Sequence, residues 1–338
     1  METPKVKIAV VILNWNGVSW LEKFLENTIR NSQEATIYII DNNSTDNSIQ
    51  YIKNNFHQVK VIQLEKNYGY AKGYNLGLNQ ITADYYILLN SDIEVSKNWI
   101  SPIIELMKSD NSISACQPKI LDFRNKNKFE YAGASGGMID FLGYPFCRGR
   151  IFDDIEEDLN QYDDKKEIFW ASGACLFIKS NHFKKVNGFD SDFFAHQEEI
   201  DLCWRLKNIG YKIMVEPKSV VYHVGGGTLN HTSPYKTYLN FRNNLYMLFK
   251  NLPLQSLFII IFLRLILDAV AAITFLSKQN GYIHTYNIIK AHFSFYFNLT
   301  NLWKKRIGMK QKTVLLGKVG YSIIIQNKLF KKDRYKDL

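Results

Sequence analysis

Tyr85-Tyr86-Ile87-Leu88-Leu89-Asn90-Ser91-Asp92-Ile93-Glu94 decides the fold class: an unbroken apolar run stops abruptly at amide and acidic side chains. Such a run with a sharp polar stop reads as a central strand of a parallel sheet. Open α/β sheets take their ligands outside the carboxyl ends of the strands, so Asn90 and Asp92 stand where a substrate is expected. Asn-Ser-Asp is also an ordinary turn and cap before a helix over Trp99 to Lys108, so its meaning depends on its company.

That company begins upstream. Ile8 to Leu13 reads as a buried first strand, Asn14-Trp15-Asn16-Gly17 as a turn, and Ser19 to Asn31 as a helix. Thr36 to Ile40 is a second strand that stops in Asp41-Asn42-Asn43-Ser44-Thr45-Asp46 and leads into a helix over Asn47 to Asn54. Val59 to Leu64 is a third, after which Tyr68-Gly69-Tyr70-Ala71-Lys72-Gly73-Tyr74-Asn75 opens another helix. Strands and helices alternating at this spacing predict a parallel α/β sheet, with Asn14, Asp41, Asn67, Asn90 and Asp92 gathered at one edge. Asp41 is suited to accept hydrogen bonds from a base or ribose, and the glycines after Asn67 allow close backbone approach. No GxGxxG follows the first strand and no GxxxxGK[ST] is present, which disfavours dinucleotide dehydrogenases and P-loop enzymes. An anionic ligand without those cradles needs a cation, and Asp92 can hold one through oxygen.

Composition sets the outer bounds. With 338 residues, 46% hydrophobic and 14% aromatic, the chain can build one large or two ordinary domains. Its four cysteines, Cys116, Cys147, Cys175 and Cys203, form no CxxC pair, so neither a zinc site nor a disulfide scaffold is indicated and a reduced cytosolic setting fits. The six apolar residues Ile8 to Leu13 are too few for a signal-peptide core. Of the net charge of +10, most lies between Trp303 and Leu338, where eleven Lys/Arg face Asp333 and Asp337. A basic tail behind an apolar segment points to an anionic membrane surface rather than to nucleic acid.

The motifs taken together resemble the family 2 glycosyltransferases, inverting enzymes of GT-A fold, and are most similar to the bacterial rhamnosyltransferase-like branch that builds surface polysaccharides. Beyond the stretches already quoted, the resemblance runs through Trp170-Ala171-Ser172-Gly173-Ala174, Gly188-Phe189-Asp190, Phe193 to Arg205 and Tyr222-His223-Val224-Gly225-Gly226-Gly227-Thr228, covering about residues 6 to 250. It implies a Rossmann-like, mostly parallel sheet flanked by helices, and a nucleoside-diphosphate sugar donor held by Asn14, Asp41, Asn67, Gly69, Lys72, Asn90 and Asp92. It also implies a Mn²⁺ or Mg²⁺ ion on Asp92 and His223, although Asn90 replaces the first carboxylate of the usual Asp-x-Asp motif. Glu199 matches the base that deprotonates the acceptor hydroxyl, with Glu198 orienting substrate or base. Trp170, Gly173, Asp201 and Arg148 are expected on the acceptor side or in a lid, the lid being a mobile loop that takes in Gly133, Gly136 and Gly137 and then Gly143 to Arg150. The amide at Asn90 leaves open a degenerate homologue that binds nucleotide-sugar or glycan without turnover.

After Lys250 the character changes. Leu257 to Leu276 is almost wholly apolar but carries Arg264 and Asp268 near its middle. Its fourteen Leu, Ile, Phe and Val residues favour insertion by about 4 to 8 kcal/mol, and the two charges oppose it by about 5 to 7 kcal/mol. Spanning is therefore nearly balanced, and Arg264 and Asp268, at i,i+4, can pair on one face of an in-plane helix. The expected organisation is a GT-A catalytic domain over 1–250, with a nucleotide-sugar half over about 1–100 and an acceptor and catalytic half over 101–250. A helical membrane-associating extension follows over 251–338. Attachment is expected at the cytoplasmic face of the plasma membrane, peripheral rather than through one C-terminal transmembrane helix, with a glycan or polyprenyl-linked acceptor presented there.

Overall fold

The computed structural model describes residues 6–225 and 233–338. In chain order the first half supplies β1 (Ile8–Asn14), α1 (Val18–Arg30), β2 (Thr36–Asp41), α2 (Ser48–Asn55), β3 (Lys60–Gln63), α3 (Gly69–Leu78), β4 (Tyr85–Leu89), β5 (Ile93–Val95), α4 (Ser101–Ser109) and β6 (Ile113–Asp122). Then come β7 (Gly137–Ile139), β8 (Pro145–Cys147), β9 (Arg150–Ile151), β10 (Asp154–Ile155), β11 (Lys166–Ile168), β12 (Cys175–Lys179), α5 (Ser180–Lys185), α6 (Glu198–Asn208) and β13 (Lys212–His223). Four helices follow: α7 (Pro234–Asn251), α8 (Leu254–Leu276), α9 (Gly281–Phe297) and α10 (Leu299–Arg306).

The main sheet runs β11-β13-β6-β12-β4-β1-β2-β3, with β5 added against β13. β3, β2, β1 and β4 are mutually parallel, as the βα alternation predicts. Every residue of β4 is buried, which is why its sequence is an unbroken apolar run rather than an alternation. The register sets Asn14 beside Asp41 and Ile12 beside Leu89, so the polar residues that end these strands share one edge. β12 then enters antiparallel between β4 and β6 and joins the two halves of the sheet.

The expected mobile loop is instead structured. β7, β8, β9 and β10 form a second, antiparallel sheet, and Arg148 within it is 2% exposed, its guanidinium paired with Asp164. A side chain held in this way does not sweep over a substrate.

The C-terminal helices are tied to the body by buried charge. Lys250 Nζ lies 2.9 Å from Asp201 Oδ1 and 2.5 Å from Asp190 Oδ2, and Asp201 also takes Arg205 Nε at 2.8 Å. Lys305 reaches back from α10 to Asp190 and Asp192, so part of the basic tail is engaged within the protein. Most other cations of that tail, among them Lys304, Lys310, Lys312, Lys331, Arg334 and Lys336, are exposed. Removing one member of a buried charge group strands the rest, at a cost of about 3–5 kcal/mol. Lys250→Met is therefore expected to destabilise the fold by about that amount in urea denaturation, and an unchanged midpoint would mean that the network carries no such load.

On α8, Arg264 and Asp268 are 3% and 0% exposed. They pair at 3.2 Å, and Asp268 also meets His292 of α9 at 3.1 Å. The pair faces the protein, while Phe258, Ile259, Phe262, Ile266 and Ile273 on the other side of the helix are exposed. The helix is long and apolar enough to cross a membrane by composition, yet Arg264, through Nη1 and Nη2, and Asp268 are already paired against the body.

Candidate functional site

Two clusters meet at the carboxyl edge of the sheet. The first is built on the strand ends. Asp41 is buried and accepts from Asn14 Nδ2 at 3.1 Å, Ser44 Oγ at 2.6 Å and Ser44 N at 3.0 Å, so its carboxylate organises the β1 and β2 ends. Asn42 does the same for the next turn: its Nδ2 donates to Asn67 Oδ1 and Gly69 O, and its Oδ1 accepts from Tyr68 N. Gly69 has φ +75°, and a Cβ there would lie 2.5 Å from the Phe194 ring, so both backbone and space exclude a side chain. Lys72 is exposed and stands 4.9 Å from the Tyr68 ring centroid.

Asp92 and His223 come together from elements far apart in sequence. β13 pairs with β5 so that His223 opposes Ile93, and His223 Nε2 lies 3.1 Å from Asp92 Oδ1. Asn90 Nδ2 is 3.5 Å from the same nitrogen, and Glu130 Oε1 lies 3.2 Å from the other, Nδ1. Burial disfavours a charge on His223, but Glu130 and Asp92 outweigh it and push the imidazole up to about 10. In that protonated form both ring nitrogens donate; a cation at Nε2 would have to displace that proton, and Glu130 behind Nδ1 would then fix the tautomer and orientation of the neutral imidazole. Among the described residues no group of three His, Cys, Asp or Glu forms a ready cage for a metal. Asp92 Oδ1 and, once deprotonated, His223 Nε2 are one oxygen and one nitrogen donor that could serve a divalent cation. Of the glycine element after His223, Gly226-Gly227-Thr228 lies outside the described residues.

The second cluster is the start of α6. Gln197, in left-handed conformation, caps the helix, and Phe194 and His196 before it also have positive φ. Three such residues in four positions are costly unless the surroundings impose them. Asn243 of α7 does so by donating to the carbonyls of Phe193, Ala195 and His196 at 2.7–3.0 Å. The turn ends in Glu198 and Glu199, each leaving a buried Oε2 without a hydrogen-bond partner. Burial pushes Glu199 up to about 7, and burial together with the charge of Glu199 pushes Glu198 well above the usual carboxylate range.

The turn 172–174 joins the two clusters. Asn90 N donates to Ala174 O at 2.9 Å, while a Cβ on Gly173 would stand 3.8 Å from that of Glu199 and 3.0 Å from Tyr70 Oη. Tyr70 Oη donates to Gly173 O at 2.8 Å, fixing the turn from the α3 side. The sheet edge thus brings Asn14, Asp41, Asn67, Gly69, Asn90, Asp92 and His223 to one side of that turn and Glu198 and Glu199 to the other. Trp170 is 4% exposed and donates to Met138 O, and Asp201 is fully buried in its ion network, so neither side chain is open to solvent. Sequence reasoning did not reach Glu130, Asn42 or Tyr70 as site-builders. Asn42 and Tyr70 lie inside quoted motifs, whereas nothing in the spacing of Phe129-Glu130-Tyr131 ties it to His223.

The family model described as Glycosyl transferase family 2 matches residues 9–185. The chain is 25% identical over 245 residues to a low-salt glycan biosynthesis hexosyltransferase, Agl10, of Haloferax volcanii, covering 70% of this chain and 73% of that protein. It is 24% identical over 235 residues to an N-acetylglucosaminyl-diphospho-decaprenol L-rhamnosyltransferase of Mycobacterium tuberculosis, covering 64% of this chain and 75% of the relative. Among solved structures it resembles GalNAc-T7 with UDP, GalNAc and Mn²⁺, with a TM-score of 0.57 and 19% identity, over 74% of this chain and 49% of that one. At that identity the likeness is one of fold, and the chain spans about half of that structure's length.

Proposed function

This chain belongs to glycosyl transferase family 2, and from that premise we propose that it moves a sugar from a nucleoside-diphosphate donor to a hydroxyl of a lipid-linked glycan, with inversion, in cell-surface polysaccharide synthesis. The observation that carries the mechanism is the Glu198–Glu199 pair, Glu198 buried and Glu199 partly buried and each with one buried, unpartnered oxygen, beside the turn that also holds Asn90. Single displacement needs one base at the acceptor hydroxyl and stabilisation of a departing diphosphate on the opposite face.

Glu199, with its pKa near neutrality, takes the acceptor proton; Glu198 beside it is held neutral and orients by hydrogen bonding. Asp92 and His223 would hold Mn²⁺ or Mg²⁺, which when bound neutralises charge on the leaving diphosphate. Asn90 reaches the same point as a neutral partner, and the Asn14, Asp41, Asn42 and Asn67 network shapes the donor floor, with Gly69 and exposed Lys72 at its border. Residues 1–250 serve donor binding and catalysis, and 251–338 serve attachment. The test of the donor site is binding of UDP, dTDP and GDP with their sugars, each with and without Mn²⁺. One diphosphate should bind more tightly with metal; no binding to folded protein would favour a homologue without turnover.

The exposed apolar side of α8, the exposed aromatics Tyr282, Tyr286 and Phe293 of α9 and the cations of the tail support peripheral attachment to the cytoplasmic face of an anionic membrane. Flotation with vesicles containing anionic lipid is the expected result, with release by alkaline carbonate. Protein that stays in the carbonate pellet would reinstate α8 as a spanning helix.

A further inference from the structure

We propose that the cavity of about 430 Å³ between α8, α7 and the β7–β8 turn receives the isoprenoid chain adjoining the diphosphate of the acceptor lipid; the proposal rests on the lipid-linked acceptor reading above. Leu267, Val270 and Ala271 form its α8 wall, at the i, i+3, i+4 spacing that puts them on one face. Val270 is 52% exposed, so the mouth is continuous with the exposed apolar side of α8. Its lining also includes Gln197, the residue immediately before Glu198. One cavity, mostly apolar in its lining, is thus shared by the exposed apolar side of α8 and the residue that caps α6.

Its polar groups select the ligand. Arg264 lines the cavity while 3% exposed, and its Nε has no hydrogen-bond partner, although Nη1 and Nη2 are taken by Leu142 O, Asn244 and Asp268. A buried N–H left unpaired is unfavourable, and a phosphate oxygen entering beside the Arg264 guanidinium, which stacks on Tyr144, would supply it an acceptor. Asp268 already balances the Arg264 charge, so Lys328, exposed at the rim, supplies the net positive charge an anionic headgroup requires. An apolar chain ending in phosphate matches both requirements; a free nucleotide leaves the apolar wall unused, and a neutral lipid leaves Lys328 unused.

The test is photolabelling of the full chain in detergent with diazirine-bearing farnesyl diphosphate, with unlabelled farnesyl diphosphate, farnesol and inorganic diphosphate as separate competitors. Labels are expected within 264–274 and to be displaced by farnesyl diphosphate at least about tenfold more effectively than by either fragment. Ala271→Trp, which fills the wall, and Lys328→Glu, on the surface, should each weaken labelling about tenfold while nucleoside-diphosphate binding stays as in the parent. Labels spread evenly over the exposed Phe258 to Phe262 face, equal competition by farnesol or by inorganic diphosphate, or indifference to Ala271→Trp would overturn the site. Loss of donor binding in the parent, with cavity labelling intact, would count against the proposed transfer reaction and leave the lipid site standing.

Discussion

Glu199→Gln is expected to lower transfer by about 10³-fold, within the range a positioned general base contributes, while donor binding by calorimetry stays as in the parent. The substitution keeps shape and removes only the basic oxygen. Burial raises Glu199 to about 7, so it can be ionised near neutral pH, while burial and the charge of Glu199 raise Glu198 well above the usual carboxylate range. Glu198→Gln should therefore cost less, since that side chain already works as a hydrogen-bonding neutral group. The reverse ranking of the two variants would move the base to Glu198.

The same raised value has a sign for pH. Activity through Glu199 needs the deprotonated form, so kcat/KM should rise with pH through about 7 and level above it. Stability runs the other way. A carboxyl whose folded value of about 7 exceeds its ordinary value of 4.5 holds its proton more tightly when folded. That preference is present in full below the unfolded value and is lost as pH rises through the folded one. Glu199→Gln removes the buried charge, so its melting temperature at pH 8 should equal or exceed that of the parent. A variant inactive because it is unfolded would melt lower, which separates the chemical from the structural explanation.

How much of this was legible in the sequence follows from the physics of each element. β1, β2 and β4 were readable because strands buried on both faces are continuous apolar runs, and their polar stops mark the edge where ligands sit. The Glu198–Glu199 pair was readable as a motif, but its environment was not: burial and unpaired oxygens arise from Gly173 and the left-handed turn at 194–197, which local pattern does not encode. Glu130 was invisible because its meeting with His223 comes from packing across 93 positions of chain. Arg148 misled for the converse reason. A loop rich in glycine and arginine reads as mobile, yet Asp164, Tyr162 and Tyr335 hold the guanidinium in place. Arg264 and Asp268 were ambiguous between membrane and protein until α7 and α9 supplied Asn244 and His292 as partners.

Asp92→Ala should abolish the strengthening of nucleoside-diphosphate binding by Mn²⁺ and reduce transfer by about 10²–10³-fold, the scale of losing one preorganised group at a developing charge. The geometry leaves little redundancy. With Asn90 an amide, Asp92 is the carboxylate at His223 Nε2, and Glu130 occupies the opposite ring nitrogen. Glu130→Gln should give a graded response, because a residue that orients a ligand costs about 10–100-fold in metal affinity rather than the site itself. The expected order in Mn²⁺-dependent binding is parent, then Glu130→Gln, then Asp92→Ala, with binding measured without metal nearly equal in all three. If Asp92→Ala retained the metal increment, the cation would sit on the diphosphate without protein carboxylate. The buried Asp92–His223–Glu130 line would then act only as a brace joining β5, β13 and the segment before β7.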